Sequence, residues 1–152
     1  MLTWSEFYNQ FSIQLNEQQQ SAVQSVTGPV LLLAVPGSGK TTVLVARLGY
    51  MIFCRGIAPE KILTVTYTVA ATKDMSERFA SRFGQDLADR LEFRTINGIC
   101  ARVIQYYGRK TARTAFSLLT DEKWISAILS AIYQKTERVY PTEGDLKNVR
   151  TL

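Results

Sequence analysis

The chain has 152 residues, 46% of them apolar and 20% charged, a composition that suits one globular domain and excludes a disordered polypeptide. The formal net charge of +5 is compatible with a polyanionic partner but does not establish one. No apolar run approaches the roughly 18 residues of a membrane span, no secretory leader opens the chain, and two distant cysteines without any histidine make neither a disulfide framework nor a zinc site. A reduced, cytoplasmic protein without membrane contact is expected, with Cys54 and Cys100 as small buried apolar residues.

Thr3-Trp4-Ser5-Glu6 reads as a capping box that opens a short helix, with Trp4, Phe7, Tyr8 and Phe11 along one face. A second helix starts after Leu15 with Asn16 as N-cap, carries Ala22, Val23 and Val26 on its apolar side, and stops at Thr27-Gly28-Pro29.

The next segment carries the chemistry. The apolar run Val30-Leu31-Leu32-Leu33 predicts a strand, and Ala34-Val-Pro-Gly-Ser-Gly-Lys-Thr41 follows it. A helix is then predicted from about Gly39 to Arg55, stopped by Gly56. Strand, glycine-rich loop and helix form the context of a phosphate-binding P-loop (Walker A). A triphosphate offers no apolar surface, so it is held by inward-pointing backbone N–H groups; Gly37, Ser38 and Gly39 would supply them, and Pro36, which has no N–H, would line the cradle. Helix N-terminal amides add to the anion site. Lys40 would balance the β- and γ-phosphates of ATP, and the Thr41 hydroxyl would ligand Mg²⁺. A plain Gly/Pro turn between strand and helix is the competing reading.

Lys61–Tyr67 is rich in β-branched and aromatic residues and predicts a strand; Thr68 can cap the helix after it, with Ala71, Met75 and Phe79 on one face. Gly84 breaks that helix, and Leu87–Arg90 suits a short turn of helix. Leu91–Ile96 alternates as a third strand, and Asn97-Gly98 opens a helix with Ile99, Val103, Ile104 and Tyr107 inward. Arg102, Arg109, Lys110 and Arg113 form a mild basic cluster, either a solvated helix end or a nucleic-acid contact. Beyond residue 113 strands give way to helices: Thr120-Asp121 starts one with Trp124, Ile125, Ile128, Leu129 and Ile132 on a face, and Thr142 to Asp145 starts another.

Alternating strands and helices predict an α/β fold with a parallel sheet. Ligands of such sheets bind at the carboxyl ends of strands, so the P-loop, Tyr67-Thr68 and Ile96-Asn97 are expected to converge on one edge.

With these segments in order, the first 110 or so residues resemble the N-terminal part of the UvrD/Rep/PcrA-type superfamily 1 DNA helicases. Leu15-Asn16-x-x-Gln19 is similar to the family's Q motif, Ala34–Thr41 to motif I, Val65–Thr68 with Ala71 and Met75 to motif Ia, and Phe93–Gly98 to motif Ib. The resemblance implies an incomplete RecA-like P-loop NTPase domain over residues 1–113 and the start of a helical insertion over 114–152. It implies that Gln19 reads the adenine edge and that Thr42 lies near the nucleotide. It further implies that Tyr67 stacks on a base of single-stranded DNA, and that Thr66, Thr68, Thr95 and Asn97 lie along the DNA. From the residues alone, Gln19 could instead be a helix-start residue and Tyr67 ordinary sheet packing.

Val69, Ala70, Asn97 and Thr42 depart from the family pattern of Asn, Lys, His and Arg, and each change removes a polar or cationic contact. No apolar run ending in Asp-Glu follows the P-loop to act as Walker B. The expectation is therefore a fragment of a helicase that moves 3′ to 5′, lacking its C-terminal helicase domains, turning ATP over poorly and prone to self-association through uncovered apolar surface. A non-enzymatic nucleotide- or DNA-binding regulatory module, and another P-loop phosphotransferase, are the alternatives.

Overall fold

The computed structural model describes residues 1–112 and 119–151, with the side chains of residues 150 and 151 outside the description. Arg113 of the basic cluster lies outside the described residues. The chain forms two compact units, Met1–Tyr106 and Tyr107–Leu152.

Helix α1 (Trp4–Gln10) starts on the predicted capping box: Thr3 Oγ1 accepts from Glu6 N, and the Glu6 carboxylate accepts from Thr3 N at 2.7 Å. Helix α2 (Glu17–Gln24) starts the same way on Asn16 and Gln19. Helix α3 spans Lys40–Phe53, somewhat shorter than predicted, and a short 3₁₀ turn, Pro59–Lys61, leads into strand β1 (Leu63–Thr66). Helices α4 (Val69–Phe83) and α5 (Gln85–Arg90) connect β1 to strand β2 (Glu92–Thr95), and α6 (Ile96–Lys110) follows. The two strands pair in parallel, from Leu63 opposite Glu92 to Thr66 opposite Thr95. A parallel pair needs a long crossover, which α4 and α5 supply. The architecture is mixed α/β, a small parallel sheet flanked by helices.

Two expectations are corrected. Val30–Leu33 is not a strand, and the described sheet has two strands rather than three. A strand exists only where a neighbour completes its hydrogen-bond ladder, and an apolar run does not reveal whether that neighbour is present. Leu31 and Leu33 stand 81% and 84% exposed. The second correction concerns α6, where Cys100, Val103, Ile104 and Tyr107 are exposed instead of buried, while Cys54 on α3's C-terminal cap is half-buried. Helical periodicity states which residues share a face, not that another element covers it.

The core of the first unit is aromatic. Phe7 and Phe79 are fully buried, Phe7 stacks on Phe83 at 5.9 Å, and Phe11 packs against both Phe53 and Phe83. Gly49 makes room for this cluster, since a Cβ built there would lie 2.3 Å from Phe83 Cζ. Arg47 Nη1 donates to Ala22 O at 2.8 Å, which fixes α3 against α2. In the second unit, α7 (Glu122–Glu137) is capped by Asp121 and packs on α8 (Glu143–Thr151), at whose start Thr142 and Asp145 exchange hydrogen bonds. Ile125 and Leu129 are half-buried, while Trp124, Ile128 and Ile132 of the same face are exposed. Among the described residues no helix is long and apolar enough to cross a membrane.

Candidate functional site

The loop before α3 turns on two of its glycines. Gly37 and Gly39 take φ values of +80° and +82°, a left-handed conformation that side-chain-bearing residues adopt at a cost. Ser38 N donates to Val35 O at 3.2 Å and Ser38 Oγ donates to the same carbonyl at 2.7 Å, which closes the turn. Gly39 precedes the first helical residue and provides no side-chain cap, so the early N–H groups of α3 are left for another acceptor. Lys40 Nζ is folded back over the loop, donating to Ala34 O at 3.2 Å and Val35 O at 2.9 Å. Val35 and Pro36 are exposed, Thr41 is half-buried and Thr42 exposed.

Gln19 meets this loop. Its Oε1 accepts from Asn16 N at 3.0 Å, closing the α2 capping box, and its Nε2 donates to Ser38 O at 3.1 Å. The residue is thus both a helix-start residue and a tether on the loop. One amide hydrogen and one oxygen lone pair stay available to a ligand. Gln19, Leu32, Ala34, Ser38 and Lys40 are among the residues lining a cavity of about 300 Å³. Thr42 does not line it; it faces a separate hollow of about 720 Å³ with Phe11, Asp74 and Arg78.

A second group gathers at the carboxyl edge of the sheet. The parallel register brings Thr66 opposite Thr95, so the segments that follow, Tyr67-Thr68 and Ile96-Asn97, leave from the same edge. The sheet does not bring the glycine-rich loop to this edge, because the run before the loop is not a strand. Tyr67 is 89% exposed and belongs to no aromatic pair among the described residues, so sheet packing does not account for it. Thr68 caps α4, its Oγ1 accepting from Ala71 N, and Thr95 Oγ1 accepts from Gly98 N in the first turn of α6. Thr66 Oγ1 lies 2.5 Å from Thr72 Oγ1 and 3.0 Å from Thr68 O. Asn97 is exposed.

Sequence reasoning passed over Thr72, although a threonine four residues beyond a cap is well placed to bond the cap's carbonyl. It also passed over Glu92, whose carboxylate pairs with Arg94 at 2.6 Å and with Arg102. The hydrogen bond from Arg94, with the positive charges of Arg94 and Arg102, holds that carboxyl below the usual glutamate range. Arg102 of the basic cluster therefore has an internal carboxylate partner, and Arg109 and Lys110 close the last turn of α6.

The family model described as the UvrD/REP helicase N-terminal domain matches residues 15–149. The chain is 35% identical over 142 residues to the ATP-dependent DNA helicase PcrA of Bacillus subtilis (strain 168), covering 93% of this chain and 19% of that protein. It is 49% identical over 73 residues to the putative ATP-dependent DNA helicase YjcD of the same strain, covering 48% of this chain and 10% of that one. It is 37% identical over 91 residues to the ATP-dependent DNA helicase UvrD1 of Mycobacterium leprae (strain TN), covering 60% and 12%. The chain spans about a fifth or less of the length of these relatives. The family match takes in the tethered loop and the sheet edge alike, and the chain belongs to the UvrD/REP helicase N-terminal domain family.

Proposed function

We propose that the chain is the N-terminal ATP- and single-stranded-DNA-binding part of an ATP-dependent DNA helicase that moves 3′ to 5′ in the cytoplasm. Residues 1–113 are assigned to part of its first RecA-like domain and residues 114–152 to the beginning of a helical insertion. The relatives' names support ATP use and DNA as partner. The observation that carries the reading for this chain is the loop backbone, with two left-handed glycines and a lysine ammonium over the turn that opens α3.

In this reading the amides of Gly37–Thr41 donate to phosphate oxygens. Lys40 exchanges its two carbonyl acceptors for the β- and γ-phosphates, a charge-assisted contact stronger than the neutral ones it gives up. Gln19 keeps the loop at α2 while its remaining amide hydrogen and oxygen meet the adenine edge. ATP, when bound, supplies the phosphoryl transfer that drives the motor. Thr41 contributes one hydroxyl toward Mg²⁺, and the fit is partial: among the described residues no group of three acidic, histidine or cysteine side chains converges to complete an ion's shell. Mg²⁺ commonly relies on phosphate oxygens and water for most of its ligands, which this site allows. Hydrolysis needs charge stabilised from several sides, and the loop provides one, so the chain alone is assigned nucleotide binding with little turnover. The parent's C-terminal helicase domains are assigned the remaining sides.

Titration with a fluorescent ATP analogue tests the reading. Wild type binds, and Lys40→Ala weakens binding by at least about tenfold with an unchanged thermal midpoint, since Lys40 is exposed. Equal affinity of the two proteins overturns it, as does a helicase-like ATPase rate from the purified chain.

A further inference from the structure

The three hydroxyl-bearing residues around Tyr67 form a closed arrangement. Thr66 ends β1, Thr68 caps α4, and Thr72 lies one turn into α4. The Oγ1 atoms of Thr66 and Thr72 are 2.5 Å apart, and each lies 3.0 Å from the carbonyl oxygen of Thr68. Two hydroxyls carry two protons. One proton must bridge the hydroxyls and the other must go to the Thr68 carbonyl, whichever residue donates which. Both protons are thereby used inside the turn. Thr66 and Thr72 are half-buried, while Tyr67, held between Thr66 and Thr68, has its ring in solvent.

We infer that Thr72 is a positioning residue for Tyr67: its hydroxyl joins strand end to helix and holds the Tyr67 backbone in one conformation, so that the ring is presented to a base of single-stranded nucleic acid without first being ordered. This inference rests on the reading of Tyr67 as a stacking residue. An exposed aromatic on a loose turn must lose conformational freedom when it binds, and a turn already fixed avoids that cost. The capping bond from Ala71 N to Thr68 Oγ1 fixes the helix start by itself, and Thr66 Oγ1 also lies 3.0 Å from Thr68 O across Tyr67, so the Thr66–Thr72 bond adds the link that ties the strand end to the body of α4.

The test is a double-mutant cycle read by titration of a labelled oligothymidylate against wild type, Tyr67→Ala, Thr72→Val, Thr72→Ser and the Tyr67→Ala/Thr72→Val double variant, with thermal unfolding of each. The loss of one hydrogen bond predicts that Thr72→Val weakens oligonucleotide binding about three- to tenfold, that Thr72→Ser restores it, and that the double variant binds no worse than Tyr67→Ala. Thr66→Val, which removes the same bond from the strand side, behaves as Thr72→Val does. If Tyr67→Ala weakens binding while Thr72→Val does not, or if the two losses add, the positioning role is overturned and the DNA reading stands. If Tyr67→Ala binds as wild type does, both fall. A Thr72→Val effect that follows only from a lowered thermal midpoint, and that Thr66→Val fails to reproduce, also overturns it.

Discussion

The side-chain amide of Gln19 spans two elements: its oxygen receives the backbone N–H of Asn16 at the start of α2, and its nitrogen reaches the carbonyl of Ser38 inside the glycine-rich loop. The bond crosses 19 residues of sequence and couples a helix terminus to the glycine-rich turn. A cap otherwise local to α2 thereby becomes a support of the candidate phosphate cradle.

The two halves of that amide can be separated. Gln19→Glu keeps an acceptor for Asn16 N but sets a carboxylate against the Ser38 carbonyl, whereas Gln19→Ala loses both bonds. Thermal unfolding should show Gln19→Ala destabilised by about 1 kcal/mol, as for the loss of a capping interaction, and Gln19→Glu close to wild type. Binding of a fluorescent ATP analogue should fall about tenfold in both variants. Wild-type nucleotide affinity in Gln19→Glu would contradict the tether.

Gly49 is required by packing. A methyl group there collides with the Phe83 ring, which is itself confined by Phe7, Phe11, Phe53 and Phe79. Alanine adds up to about 1 kcal/mol of helix propensity, but overpacking an enclosed ring costs about 1–3 kcal/mol, so Gly49→Ala should be net destabilising. Urea denaturation followed by tryptophan fluorescence measures this, and a variant more stable than wild type would remove the packing argument.

Acid should act on the sheet edge through Glu92. Arg94 and Arg102 depress its folded-state pKa below the ordinary glutamate value of about 4.3. A carboxyl depressed on folding contributes stability above its unfolded pKa, and this contribution disappears as pH falls through the depressed folded value. Glu92→Gln should therefore be less stable than wild type at neutral pH, by under about 1 kcal/mol for a solvent-screened pair, and the two should converge once pH has fallen through the depressed folded value. Added salt should narrow the neutral-pH difference. Parallel stability curves down to low pH would exclude this origin.

The uncovered run before the glycine-rich loop should drive association. Leu31 and Leu33 are exposed beside Val30 and Val35, and a contiguous apolar stretch of that kind favours contacts between copies. Light scattering should show the mean mass rising with concentration, and Leu31→Lys with Leu33→Lys should lower it toward the monomer. A clean wild-type monomer at high concentration would refute the proposal.

What was legible in the sequence was local. Thr3, Asn16 and Thr68 cap the helices expected of them, and Gly84 ends α4. Each depends on a side chain and backbone groups only a few residues away, so residue type and spacing suffice. The parallel direction of the sheet also followed from strand-like runs separated by helical segments. Tertiary structure alone decided the rest. It turned Gln19 onto Ser38, brought Thr72 against Thr66, gave Arg102 the Glu92 carboxylate, and left Val30–Leu33 without a ladder. These outcomes depend on where a distant segment comes to rest, and periodicity, which records only what one segment offers, carries no term for the partner that accepts it.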